Sequence, residues 1–161
     1  MWCIVGTLPD PDFALCPAGL EAESTVADGL LHLPDGQRVP VQRGTAALAA
    51  TAILASGALG IDPPRLLLAG DPGSGAGSRT IYAWLEQNLA SLAPAGLTFH
   101  YLFPDLDWHN RVLMAAQALP VPPLMVADAG FMYVAKMSGY ADAYDLFTPD
   151  LGELAFLEDE K

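Results

Sequence analysis

Basic residues are scarce in this chain. Only 7 of the 161 residues are Lys or Arg, against 19 Asp and Glu, so the formal net charge is −12. A surface that binds many phosphates needs clustered Lys and Arg, and we therefore expect neither nucleic acid nor an anionic membrane as a partner. A solvated acidic face is the common explanation for such a composition, although grouped carboxylates could also hold a divalent cation.

Cysteines and long hydrophobic runs are also rare. Cys3 and Cys16 are the only cysteines, and their spacing fits no metal-ligand motif. Because no secretory signal opens the sequence, we expect two reduced thiols in a cytoplasmic protein. The Ala-rich stretch 45–59 is shorter than the ~20 apolar residues that a membrane span needs, and it predicts a buried helix instead.

Apolar residues are abundant. They make up 52% of the chain, and the mean hydropathy is +0.31. This is enough for one hydrophobic core, so we expect a single domain over residues 1–161. The same composition would suit a homo-oligomer with a buried interface.

Short apolar runs alternate with helical patterns along the chain. Strands are predicted at residues 2–5, 65–69, 97–103, 124–127 and 145–147. Helices are predicted at residues 45–56, where Gly57 ends the helix, and at residues 131–137. Two further helices are predicted to begin at residue 78 and after a cap at Asp107. A turn at Pro34-Asp35-Gly36 predicts a small β-hairpin near the N-terminus. Strands that are apolar throughout indicate an α/β fold, with a mostly parallel open sheet and helices on both faces.

A glycine-rich loop, GDPGSGAGS at residues 70–78, connects one of these strands to a helix. Its glycines let backbone N–H groups approach a ligand, and the helix N-terminus behind it favours an anion. The P-loop pattern fails, because Ala76 and Gly77 stand where Lys and Ser or Thr are required. A tight strand-to-helix connection is the alternative to a binding loop. The substrate-binding residues predicted here are Gly70, Asp71, Gly73, Gly75, Gly77 and Ser78.

Other polar candidates follow the remaining strands, because ligands of open α/β sheets bind beyond the carboxyl ends of the strands. His109 and Asn110 begin a helix and could donate to a substrate, although a surface position is the alternative for His109. His32 lies in the hairpin and His100 inside a strand, so we expect neither in a catalytic set. Lys136 lies in an apolar helix and is expected to reach solvent rather than phosphate.

Carboxylates are the candidate metal ligands at this edge of the sheet. Asp71, Asp128, Asp150 and Glu153 are all expected there, and two or three of them could hold Mg²⁺ with a ligand phosphate. Asp150 and Glu153 also fit a helix capping box, because the pattern Asp-x-x-Glu stands before an apolar run. Both roles can coexist.

The order of these segments resembles a known family. RGTAALAATAILASGALG, the glycine-rich loop, PLMVADAG and FTPDLGELAFL are similar, in that order, to the NAD(P)H-hydrate dehydratases of the ribokinase-like, or carbohydrate-kinase-like, proteins. In that family an Ala-rich helix precedes a GPGLG-type loop, followed by PLVxDAD and TPHPGE. The resemblance covers residues 43–157.

The resemblance implies a ribokinase-like fold, ADP or ATP with Mg²⁺, and ATP-linked dehydration of hydrated NADH or NADPH. The alternating glycines would form the substrate side of the site. Asp128 would match the second Asp of DAD and Glu153 the Glu of TPHPGE, which makes them the expected catalytic residues and Mg²⁺ ligands. Thr148 and Asp150 of the same segment are the expected cofactor-binding residues.

The sequence departs from the family pattern in several places. Val126 replaces the first Asp of DAD, and Asp150 and Leu151 replace the His and Pro of TPHPGE. No GxGD segment follows before Lys161, so we expect either a truncated member or a diverged one that binds without turnover. The expected function is binding of a nucleotide-like or phosphorylated small molecule. The alternatives are a non-catalytic binding or assembly module and a small-molecule kinase.

Overall fold

A computed structural model describes residues 1–159. The strands are β1 (Trp2–Leu8), β2 (Thr25–Ala27), β3 (Leu30–His32), β4 (Arg38–Pro40), β5 (Arg65–Gly70), β6 (Gly96–His100), β7 (Leu124–Ala127) and β8 (Leu146–Phe147). The helices are α1 (Ala18–Glu21), α2 (Gly44–Leu59), α3 (Ala76–Leu92), α4 (Leu106–Gln117), α5 (Gly130–Met137) and α6 (Leu151–Glu158), with a 3-10 turn at Ala141–Ala143.

Five strands form a sheet in the order β5-β1-β6-β7-β8, and every pairing in it is parallel. The other three form a separate antiparallel sheet in the order β2-β3-β4. The predicted α/β fold with a mostly parallel sheet is therefore confirmed. The small hairpin has a third strand, because residues 25–27 pair with β3.

Side chains that alternate along β1 and β5 divide the core into two layers. Val5 and Leu67 face a cluster that contains residues of α3, α4 and α5. Ile4 and Leu66 face the opposite cluster, which contains residues of α2 and of the small sheet. Helices therefore lie on both faces of the sheet, as the sequence predicts.

The connection order creates a topological switch point. After β1 the chain forms β5 on one side of β1, and it then crosses to form β6 on the other side. In doubly wound sheets of this order, ligands bind where the connections diverge, beyond the carboxyl ends of the strands. The strand order therefore predicts a ligand site at the edge where β1 and β6 end.

Three predicted boundaries are wrong for local reasons. Helix α2 passes Gly57 and ends at Gly60, whose φ of 68° suits the left-handed cap. Helix α4 is capped by Asp105, whose carboxylate accepts from the Trp108 N–H, and not by Asp107. Strand β6 stops at His100 because Tyr101 has a φ of 53°, which an extended strand does not allow.

The α2 side of the sheet carries exposed apolar residues. The predicted buried helix is a surface helix, because only one side of it touches the sheet and Leu54 on it is 59% exposed. On the same sheet face, Leu124 and Leu146 are 52% and 54% exposed. The homo-oligomer stays a prediction. Among residues 1–159, no helix is both long and apolar enough to cross a membrane.

The two cysteines are free, as predicted, and both are buried. Burial raises the pKa of the Cys3 thiol to about 11. The pKa of Cys16 is likewise raised to about 11, by burial and by its contact with Asp35. Since the thiolate is the reactive form, both cysteines are inert structural residues.

Candidate functional site

A cavity of about 400 Å³ lies at the switch point. Its walls come from the ends of β1, β5 and β6 and from the first residues of α2 and α5. The residues that line it include Thr7, Arg43, Thr45, Gly73, Tyr101 and Gly130. The cavity therefore occupies the place where the strand order predicts a ligand site.

The N-terminus of α2 opens into this cavity. Arg43 is its N-cap residue, and within residues 1–159 no side chain caps the first turn of this 16-residue helix. The first N–H groups of an α-helix have no partner inside the helix, and the helix dipole adds positive potential there. The Arg43 side chain is exposed and borders the same cavity. This end of the cavity is consequently suited to an anion.

Asp71 also borders the cavity, but its carboxylate is engaged by the glycine-rich loop. Oδ1 accepts from the N–H groups of Gly73 at 2.9 Å and Gly75 at 3.0 Å. Oδ2 accepts from the Ser78 N–H at 3.0 Å and from its hydroxyl at 2.8 Å. Burial raises the pKa of Asp71, but these hydrogen bonds outweigh burial and hold it below its ordinary value. Asp71 therefore orders the loop as an ionised carboxylate.

Replacing Asp71 with asparagine is expected to lower the free energy of unfolding by about 2–3 kcal/mol at pH 7, since an amide cannot accept all four hydrogen bonds. Because the pKa of Asp71 is lowered in the folded state, the carboxylate stabilises the fold fully only above about pH 3.9, the ordinary pKa of Asp. This contribution is lost as the pH falls through the folded-state pKa. The difference in unfolding free energy between wild type and Asp71→Asn should therefore be smaller near pH 3 than at pH 7.

Urea unfolding at pH 7 and pH 3 measures both effects. The matched control is Asp62→Asn, because Asp62 is exposed and its substitution should change stability by less than about 0.5 kcal/mol. An equal loss in both variants at pH 7, or a deficit for Asp71→Asn that does not change with pH, would contradict the role given to this carboxylate.

The loop glycines serve different purposes. A Cβ on Gly70 would lie 1.8 Å from the Asp10 carbonyl oxygen, and one on Gly77 would lie 2.1 Å from the Gly70 oxygen. Both glycines thus allow close backbone packing, as in the tight strand-to-helix connection that was the alternative to a binding loop. Gly75 is the N-cap of α3, with a φ of 80°. Gly73, with a φ of 105° and open space around it, is the glycine of the loop that borders the cavity.

His100, which was not expected in a catalytic set, lies between two polar side chains at this edge. Its Nε2 is 2.9 Å from Oδ2 of Asp128, and its Nδ1 is 2.8 Å from Oγ1 of Thr45. Thr45 is 2% exposed and His100 is 7% exposed. We call Thr45, His100 and Asp128 the relay. Thr45 is the member that lines the cavity.

The direction of the hydrogen bonds in the relay follows from the charge on Asp128. Burial raises the pKa of Asp128, but hydrogen bonds from His100 and Thr148 outweigh burial and hold the pKa below its ordinary value. An ionised carboxylate only accepts hydrogen bonds, so the imidazole must carry its proton on Nε2. In the neutral tautomer with its proton on Nε2, Nδ1 is an acceptor to which the Thr45 hydroxyl can donate.

Gly6 makes room for the relay. It pairs with His100 in the β1–β6 register, and a Cβ at this position would lie 2.5 Å from the His100 carbonyl oxygen and 2.7 Å from Cγ2 of Thr45. A side chain on β1 would thus displace either the start of α2 or the end of β6. Only glycine allows the three segments to approach this closely.

Two unusual backbone conformations directly follow relay residues. Tyr101, after His100, has a φ of 53°, and Ala129, after Asp128, has φ 52° and ψ −134°. Left-handed backbone at residues other than glycine costs about 1–3 kcal/mol and is concentrated at functional sites. Both residues lie at the edge of the sheet that holds the cavity.

His109 and Asn110 are away from the cavity lining. His109 is fully buried, with Nδ1 3.0 Å from Oδ1 of Asn110 and Nε2 2.8 Å from the Tyr144 hydroxyl. Burial lowers the pKa of His109, and the contact with Asn110 opposes this only partly. His109 is a neutral core histidine, so the surface position that was the alternative is wrong, and donation by His109 or Asn110 to a substrate stays a prediction.

Asp150 and Glu153 form the capping box of α6. The Asp150 carboxylate accepts from the Glu153 N–H at 2.8 Å, and the Glu153 carboxylate accepts from the Asp150 N–H at 2.8 Å. Neither lines the cavity. Thr148, from the same segment, donates to Asp128.

The structure gives little support for a metal between Asp128 and Glu153. Asp128 already binds His100 and Thr148, and Glu153 completes the cap. No group of three or more His, Cys, Asp or Glu side chains in the described part of the chain could hold a metal ion. Mg²⁺ binding therefore stays a prediction of the resemblance.

Lys136 interacts with the end of α6. Its ammonium group donates to the carbonyl oxygens of Phe156 and Asp159 and lies 4.8 Å from the centre of the Phe156 ring. Cations stabilise helix C-termini, so Lys136 fixes α6 and is not a phosphate ligand of the cavity.

Comparison with known proteins finds a similarity over part of the chain. The chain is similar to an uncharacterized protein of Methanocaldococcus jannaschii, with 37% identity over 97 residues. The matched segment is 60% of this chain and 37% of the relative, so the chain spans little more than a third of the relative's length. No family model and no solved structure matches the chain. The comparisons thus add a longer relative without a named activity, and the site geometry carries the functional argument.

Proposed function

We propose that this chain binds an anionic small molecule of the phosphorylated or nucleotide-like class in the cavity between β1 and β6. The observation that carries the proposal is the uncapped first turn of α2, which opens into the cavity together with Arg43. Helix N-termini of this kind bind phosphate through backbone N–H groups. The position at the switch point of the sheet supports the same conclusion.

The charge distribution favours a localised anion site. The chain carries a formal charge of −12, so its overall field repels anions. Arg43 is the only Lys or Arg among the described residues that line the cavity, and Asp71, the carboxylate in the lining, already accepts four hydrogen bonds. The binding energy for an anion must therefore come from Arg43 and the α2 amides, at short range.

The rest of the cavity is suited to an apolar group. Pro9, Tyr101, Leu102 and Phe103 contribute to its walls. Cavities of roughly 300–1,000 Å³ with apolar walls and a few polar groups are typical of small-molecule sites. A flat ring such as a nucleobase or a nicotinamide would contact these side chains while its phosphate reached the start of α2.

Calorimetric titration tests the proposal with inorganic pyrophosphate, ADP, ATP and nicotinamide mononucleotide, each with and without Mg²⁺. We expect saturable binding of at least one of them, and about tenfold weaker binding after Arg43→Gln, because a charge-assisted hydrogen bond to the anion is lost. Arg38→Gln is the matched control, since Arg38 is exposed and is not among the cavity lining residues.

Two results would contradict the proposal. The first is the absence of heat with all four compounds under both conditions. The second is an equal loss of affinity in the Arg43→Gln and Arg38→Gln variants, which would indicate nonspecific attraction to positive charge.

The activities that the resemblance implies stay predictions. Dehydration of hydrated NADH or NADPH, measured directly, would separate an enzyme from a non-catalytic binding or assembly module. Loss of such activity in a Glu153→Ala variant with an unchanged fold would support the role that the resemblance gives to Glu153.

A further inference from the structure

The relay indicates chemistry beyond binding. We propose that Thr45 is a nucleophile for acyl transfer, activated by His100 and Asp128, and that the substrate is an ester or thioester whose acyl group enters the cavity. This inference rests on the proposed function of the cavity as a small-molecule site.

The relay has the connectivity that nucleophile activation requires. A hydroxyl is a weak nucleophile until an adjacent base removes its proton and a third group orients that base. Here the Thr45 hydroxyl lies 2.8 Å from His100 Nδ1, and His100 Nε2 lies 2.9 Å from Asp128. The order of groups is that of a Ser-His-Asp triad, with the two imidazole nitrogens exchanged.

The position of Thr45 at the start of α2 places it beside the cavity and beside backbone N–H groups. Thr45 is in the first turn of α2 and is one of the residues that line the cavity. The N–H groups of the same turn lie beside it. Backbone N–H groups at a helix start stabilise the oxyanion that forms when a carbonyl carbon is attacked.

The reaction balances with water as the only co-reactant. Thr45 Oγ1 forms a bond to the carbonyl carbon, and its proton passes to His100 Nδ1. The bond from this carbon to the leaving alkoxide or thiolate breaks, and the leaving group takes the proton from His100. Water then attacks the acyl-threonine with His100 as base, which releases the carboxylic acid and restores the Thr45 hydroxyl.

Asp128 stabilises the charge that appears on His100 during each step. The imidazole is 7% exposed, so the imidazolium would be poorly solvated without a partner. The Asp128 side chain is 25% exposed and is held by the Thr148 hydroxyl. Asp128 is therefore a positioning residue, while Thr45 and His100 handle the reacting proton.

Covalent labelling with a fluorophosphonate probe, mapped by peptide mass spectrometry, tests the inference without knowledge of the substrate. We expect the label on Thr45, no label at that peptide in Thr45→Val, and labelling about 100-fold slower in His100→Gln and Asp128→Asn. Thr80→Val is the matched control, because Thr80 lies exposed on α3 and should not affect the label.

Pyrophosphate titration of the same samples separates this inference from the proposed function. Wild-type protein that binds pyrophosphate but is unlabelled, or is labelled only elsewhere, would overturn the nucleophile. Labelled Thr45 without pyrophosphate binding would support the nucleophile and overturn the anion site. Circular dichroism identifies any variant that fails to fold. If Thr45→Val does not fold, Thr45→Ser tests the assignment, and we expect it to keep the label. Loss of the label in folded Thr45→Ser would overturn it.

Discussion

Replacement of Phe131 by alanine is expected to lower the free energy of unfolding by about 3–5 kcal/mol, the range for removing a buried Phe side chain. Phe131 is fully buried and stacks on Phe99 with ring centroids 4.2 Å apart. His109 and Tyr144 contact other sides of its ring, at 5.2 Å and 6.0 Å. The truncation would leave a cavity among rigid rings that cannot collapse to fill it.

Chemical unfolding of Phe131→Ala measures this loss. Phe156→Ala is the control, because Phe156 is 38% exposed and its truncation should cost about 1 kcal/mol or less. Similar losses in the two variants would show that Phe131 does not hold α5 against the sheet. Because Gly130 at the start of α5 borders the cavity, we also expect weaker ligand binding in Phe131→Ala.

Replacement of Gly6 by alanine is the change expected to damage the site most. The added methyl group would lie 2.5 Å from the His100 carbonyl oxygen and 2.7 Å from Cγ2 of Thr45, so the start of α2 must move away from β6. We expect at least tenfold weaker pyrophosphate binding, loss of covalent labelling at Thr45, and destabilisation of about 1–3 kcal/mol from overpacking.

Gly57→Ala is the control for this substitution. Gly57 lies inside α2, and an added methyl group would meet no atom within 4 Å, so the change should stabilise the helix by about 0.5–1 kcal/mol and leave binding intact. Normal binding and labelling in Gly6→Ala would show that the close approach of β1, α2 and β6 is not needed for the site.

Much of the fold could be predicted because its determinants are local. Residues 66–69 and 124–127 are continuous apolar runs that become most of the parallel strands β5 and β7. The capping box of α6 could be predicted from Asp150 and Glu153 because it depends only on their spacing. The antiparallel strand at residues 25–27 has only three residues, too few for its pattern to be recognised.

The relay could not be predicted, because its members come together only through the strand order. Thr45 and His100 are 55 residues apart, and they meet because β1 lies between β5 and β6. Without that order, Thr45 is only the first residue of a predicted helix. The positive φ of Tyr101 ends β6 at His100, and a Tyr has no preference that would indicate such a conformation.

The role of the glycine-rich loop was predicted only in part. Asp71 borders the cavity, so substrate binding stays a prediction, and its carboxylate also accepts hydrogen bonds from Gly73, Gly75 and Ser78. An Asp side chain that accepts from the backbone two residues ahead is a common turn structure, so Asp-Pro-Gly favoured this role already. The anion site that we propose is at the other helix, α2, where no glycine motif marks it.

The most direct test of the anion site is a titration of isotopically labelled protein with pyrophosphate, followed by ¹H–¹⁵N correlation NMR. We predict saturable shifts that are largest at the amides of Gly44, Thr45 and Ala46, in the first turn of α2, and smaller at the amides of the glycine-rich loop. An absence of saturable shifts, or saturable shifts confined to residues away from the start of α2, would contradict the account.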